Sequence, residues 1–278
     1  MSSGVVYLVG AGPGDSDLIT VKGLRLLRRA DVVVYDRLIP FELLEETRPE
    51  AELIDAGKQP TRHRLAQDEI NSILLDRALK GYDVVRLKGG DPLVFGRGGE
   101  EALACRQNGI PFEIVPGVSS VNAVPAYAGI PLTHRHVSSS FTVITGHEDP
   151  TKPESSINYA ALAQIGGTIV IMMGVSRLSE ITRQLQSHGM DGEIPAAVIE
   201  WGATPHQRTF IGTLDTIAGI ARARDIQPPA ITVVGDVVRL RGAGVAWYER
   251  FRNLTESTDL DEFQLPRTHS RLLEKDLV

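Results

Sequence analysis

The chain has 278 residues, of which 42% are hydrophobic and 23% charged, and its formal net charge is −6. That is the composition of a globular protein with room for one large or two medium domains, and the acidic balance argues against a general nucleic-acid binder. A single cysteine, Cys105, excludes an intrachain disulfide and any multi-cysteine metal site, and fits a reducing compartment.

The first apolar run breaks at Gly10 with no basic stretch ahead of it. Neither a signal peptide nor a membrane span is expected there, and the expected location is cytoplasmic. Residues 5–9 read as a buried strand ending in Gly10-Ala-Gly-Pro-Gly-Asp15. The spacing of Leu18, Val21, Leu24 and Leu27 predicts a helix over 18–29 with Asp17 as its cap. Residues 31–36 and 52–55 read as the next two strands, and 66–79 as an amphipathic helix. A strand over 82–87, a helix over 101–108, a strand over 112–115 and a helix opened by 116–120 and running to about 128 follow. Such alternation predicts a parallel α/β sheet that collects ligands beyond the carboxyl ends of its strands.

The polar run 134–140 is read as a domain boundary, giving a first domain over 1–135 and a second over 136–254. Further apolar runs at 141–145, 168–173, 196–200 and 230–234 make the second sheet, with helices near 176–188 and 213–223. Residues 207–213 are predicted to pair antiparallel with a near neighbour. The tail 255–278 is polar without periodicity and is expected to be disordered or a crossing arm.

Two glycine loops carry the functional signal. Gly10-x-Gly12 after a strand, with Asp36 ending the next strand, imitates a dinucleotide fingerprint. Pro13 removes an N–H from that turn, and Asp15 stands where the third glycine belongs and would repel a pyrophosphate. A nicotinamide site is therefore disfavoured, and a cofactor with little negative charge at this loop fits better. The second loop, Gly89 to Gly99, packs five glycines into eleven residues around Asp91-Pro92, where backbone can approach a ligand closely.

Six segments then occur in order: 6–15, Tyr35-Asp36-Arg37-Leu38, Gly57-Lys58, 86–101, 115–120 and Gly129-Ile-Pro-Leu-Thr-His-Arg135. Together they resemble the tetrapyrrole methylases over roughly residues 4–250, most closely those acting on uroporphyrinogen III. The resemblance implies a two-domain α/β fold, with a parallel N-terminal sheet, a mixed C-terminal sheet and the active-site cleft between them. It further implies S-adenosyl-L-methionine as methyl donor and S-adenosyl-L-homocysteine as product. The implied reaction is successive C-methylation at C2 and C7, giving precorrin-1 and then precorrin-2 for cobalamin or sirohaem. A homodimer acting on a small tetrapyrrole, with no nucleic acid and no membrane, is the implied setting. A member acting on a later precorrin would share the cofactor loops, and a noncatalytic tetrapyrrole-binding module is the nonenzyme alternative. No segment matches the dehydrogenase and chelatase part of fused sirohaem synthases, so methylation alone is expected.

By motif match, Asp36 is the implied base and Lys58 the implied acid. Pro13, Gly89, Gly90, Asp91, Val94, Ser119, Ser120, Met173, Gly202 and Ala230 are the implied cofactor shell. A carboxylate such as Asp36 both accepts a proton and stabilises developing positive charge. The substrate's carboxylates call for cations, and Arg37, Arg97, His134 and Arg135 are expected to meet them, with Lys88, Arg62, His63 and Arg64 nearby. Ordinary roles compete: Asp36 as a turn cap, Met173 as strand-end packing, the arginines as solvated charges. No metal is expected.

Overall fold

The computed structural model of the chain describes residues 3–57, 66–147, 155–249 and 251–252. The first sheet comprises β1 (Val6–Gly10), β2 (Val32–Tyr35), β3 (Glu52–Asp55), β4 (Val84–Lys88) and β5 (Phe112–Val115), in the order β3-β2-β4-β1-β5. Every pairing is parallel. Four helices alternate with these strands: α1 (Val21–Leu27), α2 (Gln67–Leu79), α3 (Gly98–Gln107) and α4 (Ser120–Tyr127). Strand alternation sorts the core into two faces. Val9, Val33, Val85 and Leu87 pack with Leu27 of α1. On the other face Val6, Leu8, Val32, Val34 and Val84 pack with α2 (Ile70, Leu74) and α3 (Ala102, Cys105). The chain thus leaves β1 to one face and β4 to the other. Since β1 and β4 are neighbours, the crevice between their carboxyl ends is a topological switch point, where open α/β sheets bind ligands.

The second sheet comprises β6 (Phe141–Thr145), β7 (Thr168–Met172), β8 (Pro195–Glu200), β9 (Arg208–Thr213) and β10 (Ala230–Val234), in the order β6-β7-β10-β8-β9. Only β6 and β7 are parallel, and β9 pairs antiparallel with β8 as predicted. Helices α5 (Tyr159–Ile165), α6 (Leu178–Ser187) and α7 (Ile217–Ala223) cover the face made by Ile169, Ile171, Ala196 and Val198. The opposite face, with Val170, Ala197, Ile199, Ile231 and Val233, packs against Val121, Val124 and Ala128. So α4, which follows the last strand of the first sheet, is buried on the second. A parallel and a mixed sheet are the architecture expected from the sequence.

Several element limits differ from the prediction. The helix expected over 18–29 splits into a 3₁₀ turn, Ser16–Leu18, and the shorter α1. Asp17 lies inside the turn; Asp15 caps that turn, and Thr20 Oγ1 caps α1 by accepting from the Gly23 amide at 3.1 Å. Helix α3 begins three residues before 101. Arg97 takes the left-handed turn at φ 59°, and Gly98 follows because a Cβ there would lie 2.5 Å from the Pro92 carbonyl oxygen. The helix expected over 213–223 begins only at Ile217. Among the described residues no helix is long and apolar enough to cross a membrane. The tail after 252 lies outside the described residues.

Candidate active site

Because the first sheet is parallel, the loops after all five strands gather at one edge. Those after β1 and β4 are tied together: the Gly90 amide donates to Gly12 O at 2.7 Å and the Gly12 amide to Gly90 O at 3.3 Å. The loop after β5 closes on both. A Cβ on Gly117 would lie 2.2 Å from Gly90 O, and one on Gly10 would lie 2.5 Å from Gly117 Cα. Asp91 secures this floor. Its Oδ1 accepts from the Leu93 and Val94 amides at 2.8 and 3.2 Å, and its Oδ2 from the Gly117 amide at 3.0 Å. Asp15, which disfavoured a phosphate, accepts the phenol hydrogen of Tyr127 at 2.6 Å. Burial, and then that bond, push the Tyr127 phenol well above its ordinary pKa.

Beneath the edge lies a set of four charges, three of them buried. Val34 pairs with Arg86 across β2 and β4, and two residues further along each strand stand Asp36 and Lys88. The period of two puts all three side chains on the face covered by α3, from which Glu101 rises. Arg86 donates to Asp36 Oδ1 at 2.5 Å and to Glu101 Oε1 at 3.0 Å, with further bonds to Val34 O and Leu87 O. Lys88 donates to the same Glu101 oxygen at 3.0 Å and stands 4.0 Å from Asp36 Oδ2. Gln67 supplies a third donor to Glu101 Oε1, while Oε2 has no partner among the described residues. Arg86, Lys88 and Glu101 are at most 3% exposed, whereas the Asp36 side chain is 33% exposed. Burial opposes the Arg86 charge, but Asp36 and Glu101 outweigh it and its pKa rises. Burial, with Arg86 adding repulsion, holds the Lys88 ammonium below the ordinary lysine value.

The second sheet contributes from one end. Because β10 runs antiparallel to β7 and β8, its start at Ala230 lies beside Met173 after β7 and Trp201-Gly202 after β8. Met173 and Trp201 hold left-handed φ values of 51° and 49° with large side chains exposed, which is costly backbone to keep without a use. Gly202 passes so close to α4 that a Cβ would meet Val124 at 2.2 Å. The same loop meets the loop after β1: a Cβ on Gly14 would lie 2.9 Å from Ala203 O and 3.0 Å from Gly202 O. Pro13 and Gly202, predicted from distant parts of the chain, therefore sit on adjoining loops. Ser119 caps α4 by accepting from the Val121 amide at 3.3 Å, and Ser120 is its first residue.

The expected substrate cations divide. Arg37 is exposed beside Gly57, and Arg135 is exposed in a turn closed by backbone bonds between His134 and Ser138. Arg97 is engaged by Glu100 through two bonds, at 2.8 and 2.7 Å. Lys88, expected among the cations that meet substrate, is not a surface charge. Strand alternation turns it inward, where Glu101 neutralises it. Lys58, Arg62, His63 and Arg64 lie outside the described residues. Sequence reasoning missed Arg86 as the partner of Asp36 and Glu101 as the carboxylate that shares Arg86 with it, although two cations two residues apart in a buried strand were their signal.

Two α/β lobes whose loops after β1 and β8 adjoin beside the carboxyl edge of the first sheet define a class of two-domain proteins distinct from single-sheet dinucleotide binders. The family model for tetrapyrrole (corrin/porphyrin) methylases matches residues 5–218, and the chain belongs to that family. It is 53% identical over 237 residues to the S-adenosyl-L-methionine-dependent uroporphyrinogen III methyltransferase of Methanosarcina barkeri, covering 85% of this chain and 93% of that one. It is 47% identical over 253 residues to the siroheme synthase of Chromobacterium violaceum, covering 90% of this chain but only 53% of that one, so it spans about half of that relative's length. Among solved structures, uroporphyrin-III C-methyl transferase from Thermus thermophilus, complexed with S-adenyl homocysteine, superposes with a TM-score of 0.72 at 40% identity. That match covers 85% of this chain and all of the other.

Proposed function

We propose that this protein transfers methyl groups from S-adenosyl-L-methionine to C2 and C7 of uroporphyrinogen III, giving precorrin-2 by way of precorrin-1. The observation that carries the mechanism is the partly exposed Asp36 carboxylate, gripped on one oxygen by buried Arg86 just past the carboxyl end of β2, the neighbour of β4. The residues around the switch-point crevice fit the cofactor. Gly90, at φ 68°, takes the left-handed turn that glycine adopts without strain, and a Cβ built there would be in ordinary contact with Ser120 N at 3.6 Å. Exposed Met173 and Trp201 offer apolar walls for a nucleoside, and no phosphate has to be accommodated beside Asp15. Pro13, Gly89, Val94, Ser119, Ser120, Gly202 and Ala230 complete the proposed shell. Asp91 serves it by holding the floor of the loop.

When bound, S-adenosyl-L-methionine supplies an electrophilic methyl on a sulfonium. The electron-rich pyrrole carbon of the reduced macrocycle would form its bond to that methyl as the S–CH3 electron pair stays on sulfur and S-adenosyl-L-homocysteine leaves, so that positive charge passes to the ring and a proton is to be lost from a neighbouring bridge carbon. Asp36 stabilises that charge and accepts the proton, and Lys58 is proposed as the acid. Arg37, Arg97, His134 and Arg135 are proposed to bind substrate carboxylates, Arg97 by exchanging Glu100 for the substrate. A homodimer in the cytoplasm rests on the family resemblance, and light scattering of the purified protein tests the dimer.

Anaerobic incubation with uroporphyrinogen III and S-adenosyl-L-methionine, followed by mass, is expected to give a gain of two methyl groups. Methylation only of an already methylated precorrin, or NADH binding with no affinity for S-adenosyl-L-methionine, would overturn the proposal. Asp36→Asn is expected to cut kcat by about 10²–10⁴, the range for losing a general base, with the cofactor Kd little changed. Unchanged turnover would remove Asp36 from the mechanism.

A further inference from the structure

We propose that Glu101 is a positioning residue whose task is to hold Lys88 away from Asp36, so that one carboxylate oxygen of Asp36 stays open to the cleft. The inference rests on the reading of Asp36 as the reacting carboxylate. Its basis is the way four charges share their bonds. Two cations and two carboxylates make the set neutral, yet the bonds are divided unequally. Glu101 Oε1 collects donors from Arg86, Lys88 and Gln67. Among the described residues the Asp36 side chain is bonded by Arg86 alone, through Oδ1. Lys88 stands 4.0 Å from Asp36 Oδ2, beyond hydrogen-bonding distance, while bonding Glu101 at 3.0 Å.

Without the Glu101 charge, buried Lys88 has one carboxylate left within reach. A buried ammonium without a partner is costly, so Lys88 would close the remaining distance and bond Oδ2. Asp36 would then be held on both oxygens by cations, with none free to take a proton or face a developing positive charge. Arg86 cannot cause the same capture, because its bonds to Val34 O and Leu87 O do not depend on Glu101 and still hold the guanidinium in the sheet.

The test is a charge-compensation cycle read as kcat and KM. Glu101→Gln keeps the shape of the side chain but removes its charge, and is expected to lower kcat at least tenfold, with KM for both substrates within about twofold. Adding Lys88→Met removes the ammonium that would capture Asp36 and restores neutrality, so the double variant is expected to recover most of the lost kcat. Lys88→Met alone is expected to stay within a few-fold of the parent. A structural role for Glu101 predicts the reverse, since each further change to a buried set deepens the loss. Failure of the double variant to regain kcat, or full activity of Glu101→Gln, overturns the proposal. Should Glu101→Gln not fold, the neutral double variant still decides, because loss of its kcat while folded overturns the idea and near-parental kcat supports it. Asp36→Asn separates this inference from its premise: if that variant keeps full turnover the premise has failed, whereas loss there without recovery in the double variant sinks only the role of Glu101.

Discussion

At Gly117 the absence of a side chain decides whether the floor of the cleft closes. All three atoms nearest to a Cβ there belong to backbone: Gly90 O at 2.2 Å, Gly10 Cα at 2.7 Å and Gly10 C at 2.9 Å. No rotamer change relieves such a contact, so Gly117→Ala must push apart the loops after β1, β4 and β5. It also strains the bond from the Gly117 amide to Asp91. The expected cost is about 1–3 kcal/mol, as for other overpacked sites, together with weaker S-adenosyl-L-methionine binding. Gly99 is the control. It lies in the first turn of α3 with nothing within 4 Å of where a Cβ would stand, so Gly99→Ala is expected to stabilise by about 0.5–1 kcal/mol through helix propensity. Urea unfolding of both variants checks the pair, and the same sign for both would mean that glycine content, not contact, governs this loop.

At the scale of elements, α4 is where the two sheets are joined. Its apolar residues pack on the second sheet, and its last turn is clasped from several sides. Tyr127 bonds Asp15 in the loop after β1, and its ring meets Trp247 and Tyr248 at centroid distances of 5.2 and 4.8 Å. Trp247 donates to Ala126 O at 2.9 Å. Tyr127→Phe keeps the rings and deletes the bond, leaving a part-buried Asp15 carboxylate oxygen without its donor, at a cost of about 1 kcal/mol. A fall in Tm with unchanged kcat is expected; a loss of kcat without a fall in Tm would instead place Tyr127 in the chemistry. The strands of the first sheet and their parallel sense were legible because apolar runs alternated with helical spacing and ended in glycine or a polar residue. Helix α5 was not legible, since within Tyr159–Ile165 Leu162 is the one buried position and no apolar period marks the segment. Nor was the destination of α4: its apolar residues announce burial but not which sheet receives them. For the site, motif spacing found the loops, but the partner of Asp36 comes from β4, and only the register that sets Val34 opposite Arg86 brings the two together.

For the whole molecule, the sharing of α4 bears on how the two sheets unfold. Among the described residues, the face of the second sheet opposite α5–α7 is covered by Val121, Val124, Ala128 and Ile130 from the α4 region and by Val237 and Val238. Were the first sheet to unfold alone, α4 would lose its anchor at Ser119 and at Asp15 and expose that face. Burial of each such side chain contributes roughly 1.5–3 kcal/mol, enough to make separate unfolding unfavourable. The chain carries its own probes for this. Cys105 is 1% exposed in the core of the first sheet, and burial, with the Glu101 charge adding to it, pushes its thiol up to about 11. It is therefore expected to resist thiol reagents until that core opens. The two tryptophans, Trp201 and Trp247, report on the loop after β8 and on the segment clasping α4. Thiol labelling and tryptophan fluorescence across a urea titration are expected to give coincident transitions, the mark of a single cooperative unit. Labelling of Cys105 at lower urea than the fluorescence change would mean that the sheets unfold independently and that α4 does not couple them. The folded thiol value lies above the ordinary 9, so Cys105 contributes stability that is complete below that pH and is lost as pH rises toward 11. Cys105→Ala should flatten the alkaline fall in stability over that window, and an unchanged slope would show that other groups cause it.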